Sequence, residues 1–473
     1  MATGVGTRVV GLVGTLVLTR FIAPADYGEV SAAAICVLTA SQLTFFAFGQ
    51  YIIAHKSPAD VAFQAAALHM GLGLAAMLVV FVLRGPLGIL LDAPAMGRFI
   101  PGYAVAVLLE RARVVPVALL VRDLRFRTVA IVNSIGELTF TGTALALAPR
   151  WGGYAIMTGA LARSLITFLL FAARAPRAEW LVRAPFDRGV VRHLFGYGTP
   201  IMLSSVADRA ASTWDNLLVL RLFGARIMGA YALSYSLAET PLIYVAERMG
   251  DVLMPAFSKM EPSERPGAVV RAAGLMALVV APLGVGLGAV APTIVQAFFD
   301  ARWSTMGSIL MVLSVMTVFQ PAPWSAVAYL QAEKMTRLIM ITSIARAFLL
   351  LGLVALLGWL GGPIWACAGV GAGYALHSVI TVALTARVTS LSARAYFLNV
   401  SRPLLACVPM FVAVAALRIF LTERHAPVAL SLAAQIACGA VVYAGAAFAL
   451  AGSNVRELIR LGRGGSPSGA SGA

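Results

Sequence analysis

Gly196-Tyr-Gly-Thr-Pro-Ile-Met-Leu-Ser-Ser-Val-Ala-Asp-Arg-Ala-Ala-Ser-Thr-Trp-Asp-Asn-Leu-Leu-Val-Leu-Arg221-Leu-Phe-Gly-Ala-Arg-Ile-Met-Gly229-Ala-Tyr231 decides what kind of chain this is. Its first part is long and apolar enough for a bilayer-spanning helix, which needs about 20 such residues. Yet Ser205, Asp208, Ser212 and Asp215 recur within it at spacings of three, four and three. That period puts all four on one helical face, with Arg209, Thr213 and Asn216 beside it. Lipid does not solvate such a stripe, so the face must meet protein or a water-filled cavity.

The end of this stretch echoes the start of the chain. Arg20-Phe-Ile-Ala-Pro-Ala-Asp-Tyr-Gly28 has the frame of Arg221-Leu-Phe-Gly-Ala-Arg-Ile-Met-Gly229. In each, an Arg closes one apolar helix and a Gly opens the next, and both residues are offset by 201. Gly152-Gly153 and Gly361-Gly362, offset by 209, each open a later apolar helix. Two similar halves meeting just before Gly196 is the layout of a transporter built from repeats, with its site between them.

Composition agrees. Sixty per cent of the residues are hydrophobic and 12% charged, and a soluble domain carries about twice that charge. The chain therefore reads as an all-α polytopic membrane protein. Hydropathy gives about fourteen spans, near 2–22, 28–53, 60–83, 98–121, 128–148, 153–173, 195–220, 228–257, 270–299, 304–330, 337–358, 363–386, 402–421 and 428–451. The N-terminal segment has no basic leader or cleavage site and is expected to be the first span. Connections on one side of the membrane hold 20 basic residues, against nine on the other. The richer side is cytoplasmic by the positive-inside rule, which places both termini inside a bacterial plasma membrane. This bias accounts for most of the net charge of +16 and argues against nucleic-acid binding.

The expected organisation is a six-helix lobe with a basic linker over 1–192, a second six-helix lobe over 193–399, an appended helix pair over 400–453 and a disordered cytoplasmic tail over 454–473. An even number of spans per lobe makes the repeat parallel, related by a pseudo-twofold along the membrane normal. The linker from Arg174 to Arg192 is suited to an anionic leaflet. Cys36, Cys367, Cys407 and Cys438 all lie in apolar segments without paired spacing, so neither a disulfide framework nor a zinc site is expected. No metal or other cofactor is expected.

Seven arginines fall inside the spans: Arg8, Arg111, Arg113, Arg163, Arg209, Arg248 and Arg346. Arg8 is near an end and can snorkel. Each of the others costs about 2.5–3.5 kcal/mol at a helix centre facing lipid. They are therefore the candidate lining of a hydrated cationic cavity, and Arg is the side chain whose planar fork best grips phosphate. The plainer reading is intramembrane ion pairing. Glu110 sits beside Arg111 and Arg113, Asp208 beside Arg209, and Glu247 and Asp251 beside Arg248. Arg163 and Arg346 have no acid within reach on their own helices, which favours a functional role for them. Asp208, Asp215 and Glu247, with Asp251, would balance charge. Glu137, between Asn133 and Thr141, and Glu239, before Thr240-Pro241, are candidates for proton or sodium coupling, with a structural carboxylate the competing role. His69 and His377 read as packing residues. Gly284-Val-Gly-Leu-Gly288 and Gly369-Val-Gly-Ala-Gly373 lie in apolar runs and read as close helix packing rather than phosphate loops.

Three stretches carry a family resemblance. Leu18-Thr-Arg-Phe-Ile-Ala-Pro-Ala-Asp-Tyr-Gly28, Pro116-Val-Ala-Leu-Leu-Val-Arg-Asp-Leu-Arg-Phe126, and Asp215-Asn-Leu-Leu-Val-Leu-Arg221 followed by Gly229-Ala-Tyr-Ala-Leu233 resemble motifs of polysaccharide flippases. These belong to the multidrug/oligosaccharidyl-lipid/polysaccharide exporter superfamily. The resemblance implies two six-helix lobes around a cationic cavity that opens alternately to each side. It implies an undecaprenyl-diphosphate-linked oligosaccharide as cargo, an ion gradient as drive, and membrane lipids, a polysaccharide polymerase and export machinery as partners. A peptidoglycan-precursor flippase is a near alternative. A multidrug or cation antiporter would favour acids in the first span, where this chain has Arg8 and Arg20. A polytopic glycan polymerase would need large outer loops, and here they are short. The chain reads as a transporter rather than an enzyme.

Overall fold

The computed structural model of the chain describes residues 11, 14–55, 59–181 and 185–462. The expected first span and Arg8 lie largely outside the described residues, as do the side chains of Glu247, Arg248 and Asp251. The described chain is helical, with no strand among the described residues. Its Cα positions group into two compact units, Met1–Gly229 and Ala230–Ala473.

In the first unit, α1 (Pro24–Leu43) starts with Pro at its first turn, where a missing N–H does no harm. It bends by 47° into α2 (Phe48–His55) through residues 44–47, where Ala47 takes a positive φ of 50°. Then come α3 (Ala59–Val82), the short α4 (Arg84–Leu90) and a second broken run, α5 (Ile100–Ala112) and α6 (Val114–Arg122), interrupted at Arg113. The hairpin of α7 (Phe126–Trp151) and α8 (Tyr154–Arg174) turns at Gly152, φ 50°. A left-handed residue ends a helix most cheaply when it is Gly. α3 is apolar around its circumference, and Leu74, Leu78, Val79 and Val82 are exposed. A helix of this length and composition is stable in lipid and not in water.

α9 is a run of 72 residues, Arg188–Lys259, that leaves helical geometry at Gly224, φ 79° and ψ 172°. It is two helices joined there, where the sequence placed the connection between spans 195–220 and 228–257. The chain just after this joint packs on the start of α1. A Cβ on Gly28 would collide with the carbonyl of Ala225, and one on Gly229 with the carbonyl of Pro24. Pro24 and Ala225 are themselves offset by 201. The contact is therefore reciprocal, each segment offering the other the same pair of positions. That is the pattern of a local twofold relation between them.

The second unit is organised on α10 (Arg265–Phe298), more than half of whose apolar stretch is buried. Around it are α11 (Met306–Met316), α12 (Trp324–Ala332), the hairpin of α13 (Thr336–Gly361) and α14 (Pro363–Val388), and then α15 (Ala393–Glu423) and α16 (Val428–Leu450). That hairpin also turns on one left-handed glycine, Gly362, φ 83°. Buried Tyr396 ties α15 to the approach to α12, its hydroxyl donating to the Ala322 carbonyl at 2.6 Å and pairing with Ser325 Oγ at 2.8 Å. Residues 454–462, assigned above to the disordered tail, instead belong to a helix, α17 (Gly452–Gly462). Alternation of Val455, Leu458 and Ile459 with Arg456, Glu457 and Arg460 gives it one apolar face. Glu457 pairs with Arg271 at 3.5 Å and Asn454 donates to the Asn399 carbonyl at 3.4 Å.

Among the described residues, ten helices are long and apolar enough to cross a membrane, or eleven with α1 and α2 taken as one bent span. One of the ten, Arg188–Leu242, is 55 residues long and includes the Gly224 joint. The run α5–α6 is not among them, since Glu110, Arg111 and Arg113 crowd its middle.

Candidate functional site

The two broken runs of the first unit meet at Arg111. This residue is buried, and its Nε donates to Ser41 Oγ at 3.2 Å. Its Nη1 donates to the carbonyls of His69 at 3.1 Å and Thr44 at 3.5 Å, and its Nη2 to Thr44 Oγ1 at 2.6 Å and to the Ser41 carbonyl. All five N–H groups of the guanidinium are thereby used. Ser41 and Thr44 close α1, so the cation sits at the negative end of that helix. Arg111 holds the bend in place and keeps no donor for a ligand.

Arg163, on α8, draws its acids from two other helices. Its Nη1 meets Glu137 of α7 at 3.1 Å and its Nη2 meets Glu110 of α5 at 3.5 Å. Ser164 Oγ donates to the same Glu110 oxygen at 3.4 Å. Arg163 also stands over Phe140 at 5.7 Å. Arg113 lies over Phe171 at 5.9 Å and donates to Asn133 Oδ1 at 3.5 Å. Glu110, Arg113, Glu137 and Arg163 thus form one cluster. The sequence had paired Glu110 with Arg111 and Arg113. Adjacent helical residues diverge by about 100°, so Glu110 and Arg111 do not face each other. Glu110 turns to α8 instead, and that turn supplies the acid that Arg163 lacks on its own helix.

The polar stripe of α9 divides along its length. Asp215 is fully buried and accepts from Asn216 Nδ2 at 3.1 Å, while Trp214 Nε1 donates to Thr39 Oγ1 of α1 at 3.1 Å. This end of the stripe faces protein. Asp208 is exposed and Arg209 half-buried. The hydroxyls of Ser212 and Thr213 turn back to the Arg209 carbonyl, at 3.3 and 2.8 Å. Arg346 and Glu239 belong to the second unit. Arg346 is half-buried on α13, and Glu239 accepts from Gln320 Nε2 at 2.7 Å. Among the described residues no group of three His, Cys, Asp or Glu is placed to hold a metal.

Sequence reasoning missed Gln50, Gln320 and the position of His69. The His69 ring lies edge-on to Phe45 and Phe48, at 5.7 and 6.0 Å, as expected for a packing residue. It also lines a cavity of about 340 Å³ in the first unit, together with Gln50, Glu110, Arg111 and Arg113. No sequence signal marked it, since an isolated His in an apolar helix has no periodic partner.

A family model described as polysaccharide biosynthesis protein matches residues 17–308. The lipopolysaccharide biosynthesis protein WzxC of Escherichia coli is 24% identical over 88% of this chain and 85% of that protein. The succinoglycan biosynthesis transport protein ExoT of Rhizobium meliloti is 25% identical over 97% of this chain and 93% of that protein. Among solved structures, the lipid II flippase MurJ in an inward closed conformation aligns with a TM-score of 0.76 at 14% identity, over 97% of this chain and 99% of that one. The likeness to MurJ concerns the fold. The match over residues 17–308 covers more than half of the chain, and with it the chain belongs to the polysaccharide biosynthesis protein family, the branch of the superfamily its sequence motifs resemble.

Proposed function

We propose that this chain is a flippase that moves an undecaprenyl-diphosphate-linked oligosaccharide from the inner to the outer leaflet by alternating access, in the making of a lipopolysaccharide or exopolysaccharide. A diphosphate carries about two negative charges and does not cross hydrocarbon unaided. The observation that carries the reading is the arginine cluster of the first unit, with Arg113 on the wall of the cavity and Arg163 bound to Glu110 of the same wall, in a chain of this family and fold. Bidentate hydrogen bonds from arginine replace phosphate hydration. Arg209, Arg248 and Arg346, also placed within spans by the sequence, are further candidates for gripping the diphosphate, and Arg111 positions the broken helix beside Arg113. Asp208, Glu247 and Asp251 are the candidates for balancing the arginines' charge when no cargo is bound, whereas Asp215 is buried against protein. Glu137, already shared with Arg163, and Glu239 are the carboxylates through which proton or sodium entry would couple to release.

The reading carries fourteen spans with both termini cytoplasmic, and six-helix lobes over about 1–192 and 193–399 followed by an appended pair. The relatives bear names of polysaccharide biosynthesis and transport, which favours a polysaccharide cargo over a peptidoglycan precursor. The chain acts as a transporter, without chemistry on its cargo. The test is surface polysaccharide in a deletion strain complemented at matched protein level. Arg209→Ala and Arg346→Ala abolish export, and the Lys variants retain part of it. Wild-type export by both Ala variants would reduce these arginines to structural ion-pair partners.

A further inference from the structure

We infer that the cavity framed by the two broken helices of the first unit seats the phosphorylated end of a polyisoprenoid, with the first isoprene units in an apolar trough between α2 and α6. The identity of the lipid rests on the flippase reading; the shape and polarity of the site do not.

Helix breaks at membrane depth are tolerated where the freed backbone lines a cavity. Here both breaks do so: the bend at 44–47 brings Phe45 and Gly49 to the wall, and the break at Arg113 brings Arg113 and Val114. The first N–H groups of a helix have no partner within it, and they favour an anion. The first turn of α2 reaches the cavity at Gly49 and Gln50; the Gln50 N–H is taken by the Ala47 carbonyl at 2.9 Å, so Gly49 presents the helix-end donor there. His69 points independently to a ligand. It is 1% exposed and lines the cavity, and neither ring nitrogen has a hydrogen-bond partner among the described residues. A buried imidazole left in that state is costly, and a phosphate oxygen would accept from it. Arg113 supplies the charge, while the one carboxylate on the wall, Glu110, is turned to Arg163 and Ser164.

The remainder of the wall is apolar. From Arg113, Val117, Ala118 and Val121 of α6 run down opposite Ile53 of α2. Eight residues of helix span about 12 Å, the length of a few isoprene units. A volume of about 340 Å³ is at the low end for ligand sites. It suits a phosphate and the start of a chain and is too small for an oligosaccharide repeat.

The full-length protein in lipid nanodiscs is labelled with a photoactivatable farnesyl phosphate, and the labelled peptides are mapped. Label is expected in 45–53 and 114–121. Unlabelled farnesyl phosphate should compete at least tenfold better than farnesol, inorganic phosphate or phosphatidylglycerol. His69→Phe, which keeps the ring between Phe45 and Phe48, and Arg113→Gln should each reduce labelling at least fivefold. Val117→Trp, which fills the trough, should abolish it. Label confined to other segments, equal competition by farnesol or phosphatidylglycerol, or full labelling of folded His69→Phe and Arg113→Gln proteins overturns the site. Because labelling reads binding alone, its loss leaves the flippase reading standing. Labelling of a chain that moves no lipid-linked oligosaccharide would instead sink that reading and leave the site.

Discussion

Placing a methyl group at the crossing of Gly28 and Gly229 wedges two backbones apart. The Cβ of Gly28→Ala would overlap the carbonyl oxygen of Ala225, lie 2.9 Å from its carbon and lie 3.0 Å from the nitrogen of Gly229. Ordinary Cβ contacts lie at 3.4–4 Å. Every atom met is main chain, so no rotamer change relieves the clash and the segments must separate. Overpacking of this kind costs about 1–3 kcal/mol. Gly229→Ala meets the Pro24 carbonyl in the same way, so its cost should match. The double variant distinguishes this geometry from two independent defects. Once the first methyl has opened the crossing, the second enters a gap already made. The double should therefore cost well under the summed singles, a negative coupling expected only of residues in contact. The assay is unfolding of the purified protein in mixed micelles by increasing sodium dodecyl sulfate, followed by far-ultraviolet circular dichroism. Neutral single variants, or a double equal to the sum of the two, would refute the reciprocal crossing.

Arg111→Lys, assayed in the same titration, should lose about 2–4 kcal/mol, because three ammonium donors replace a fork whose five N–H groups serve the C-terminal end of α1 and the His69 carbonyl. Stability equal to wild type would contradict the helix-end role. Tyr396→Phe should cost about 1–2 kcal/mol through loss of the hydrogen bonds to Ala322 and Ser325, and export by the variant strain should stay at the wild-type level. Glu137→Gln should leave the protein folded and shift the dependence of export on the ion gradient; an unchanged dependence would remove Glu137 from the coupling proposal. A cysteine placed at Arg188 should resist impermeant maleimide added outside intact cells, and ready labelling would invert the proposed topology.

The helical class and most helix positions were legible because hydrophobic runs near the length of a bilayer core leave little choice. The echo of Gly28 and Gly229 was legible as a spacing, and the structure gives it a physical meaning, since the two residues meet. The bend at 44–47 carried no proline or glycine, and its stabiliser, Arg111, lies on another helix. The break at Arg113 differs, because Pro116 lies four residues after Ala112, offers its carbonyl no N–H and crowds it with the ring. The acids of Arg163 were hidden for a related reason: a helical period tells which residues share a face and is silent on which helix that face meets. Glu110 was placed beside Arg111 by adjacency, where a helix turns neighbours apart. The value of His69 depends wholly on a cavity that only the folded chain makes.

Transfer of the lipid between leaflets can be followed with the purified protein alone. Proteoliposomes carrying a fluorescent undecaprenyl-diphosphate oligosaccharide are exposed to an impermeant reductant, which bleaches only the outer leaflet. Wild-type protein should expose the inner pool to bleaching, and an Arg113→Ala, Arg163→Ala double variant, folded to the same extent, should not. Transfer no faster than in protein-free liposomes, or equal transfer by the double variant, would contradict the account.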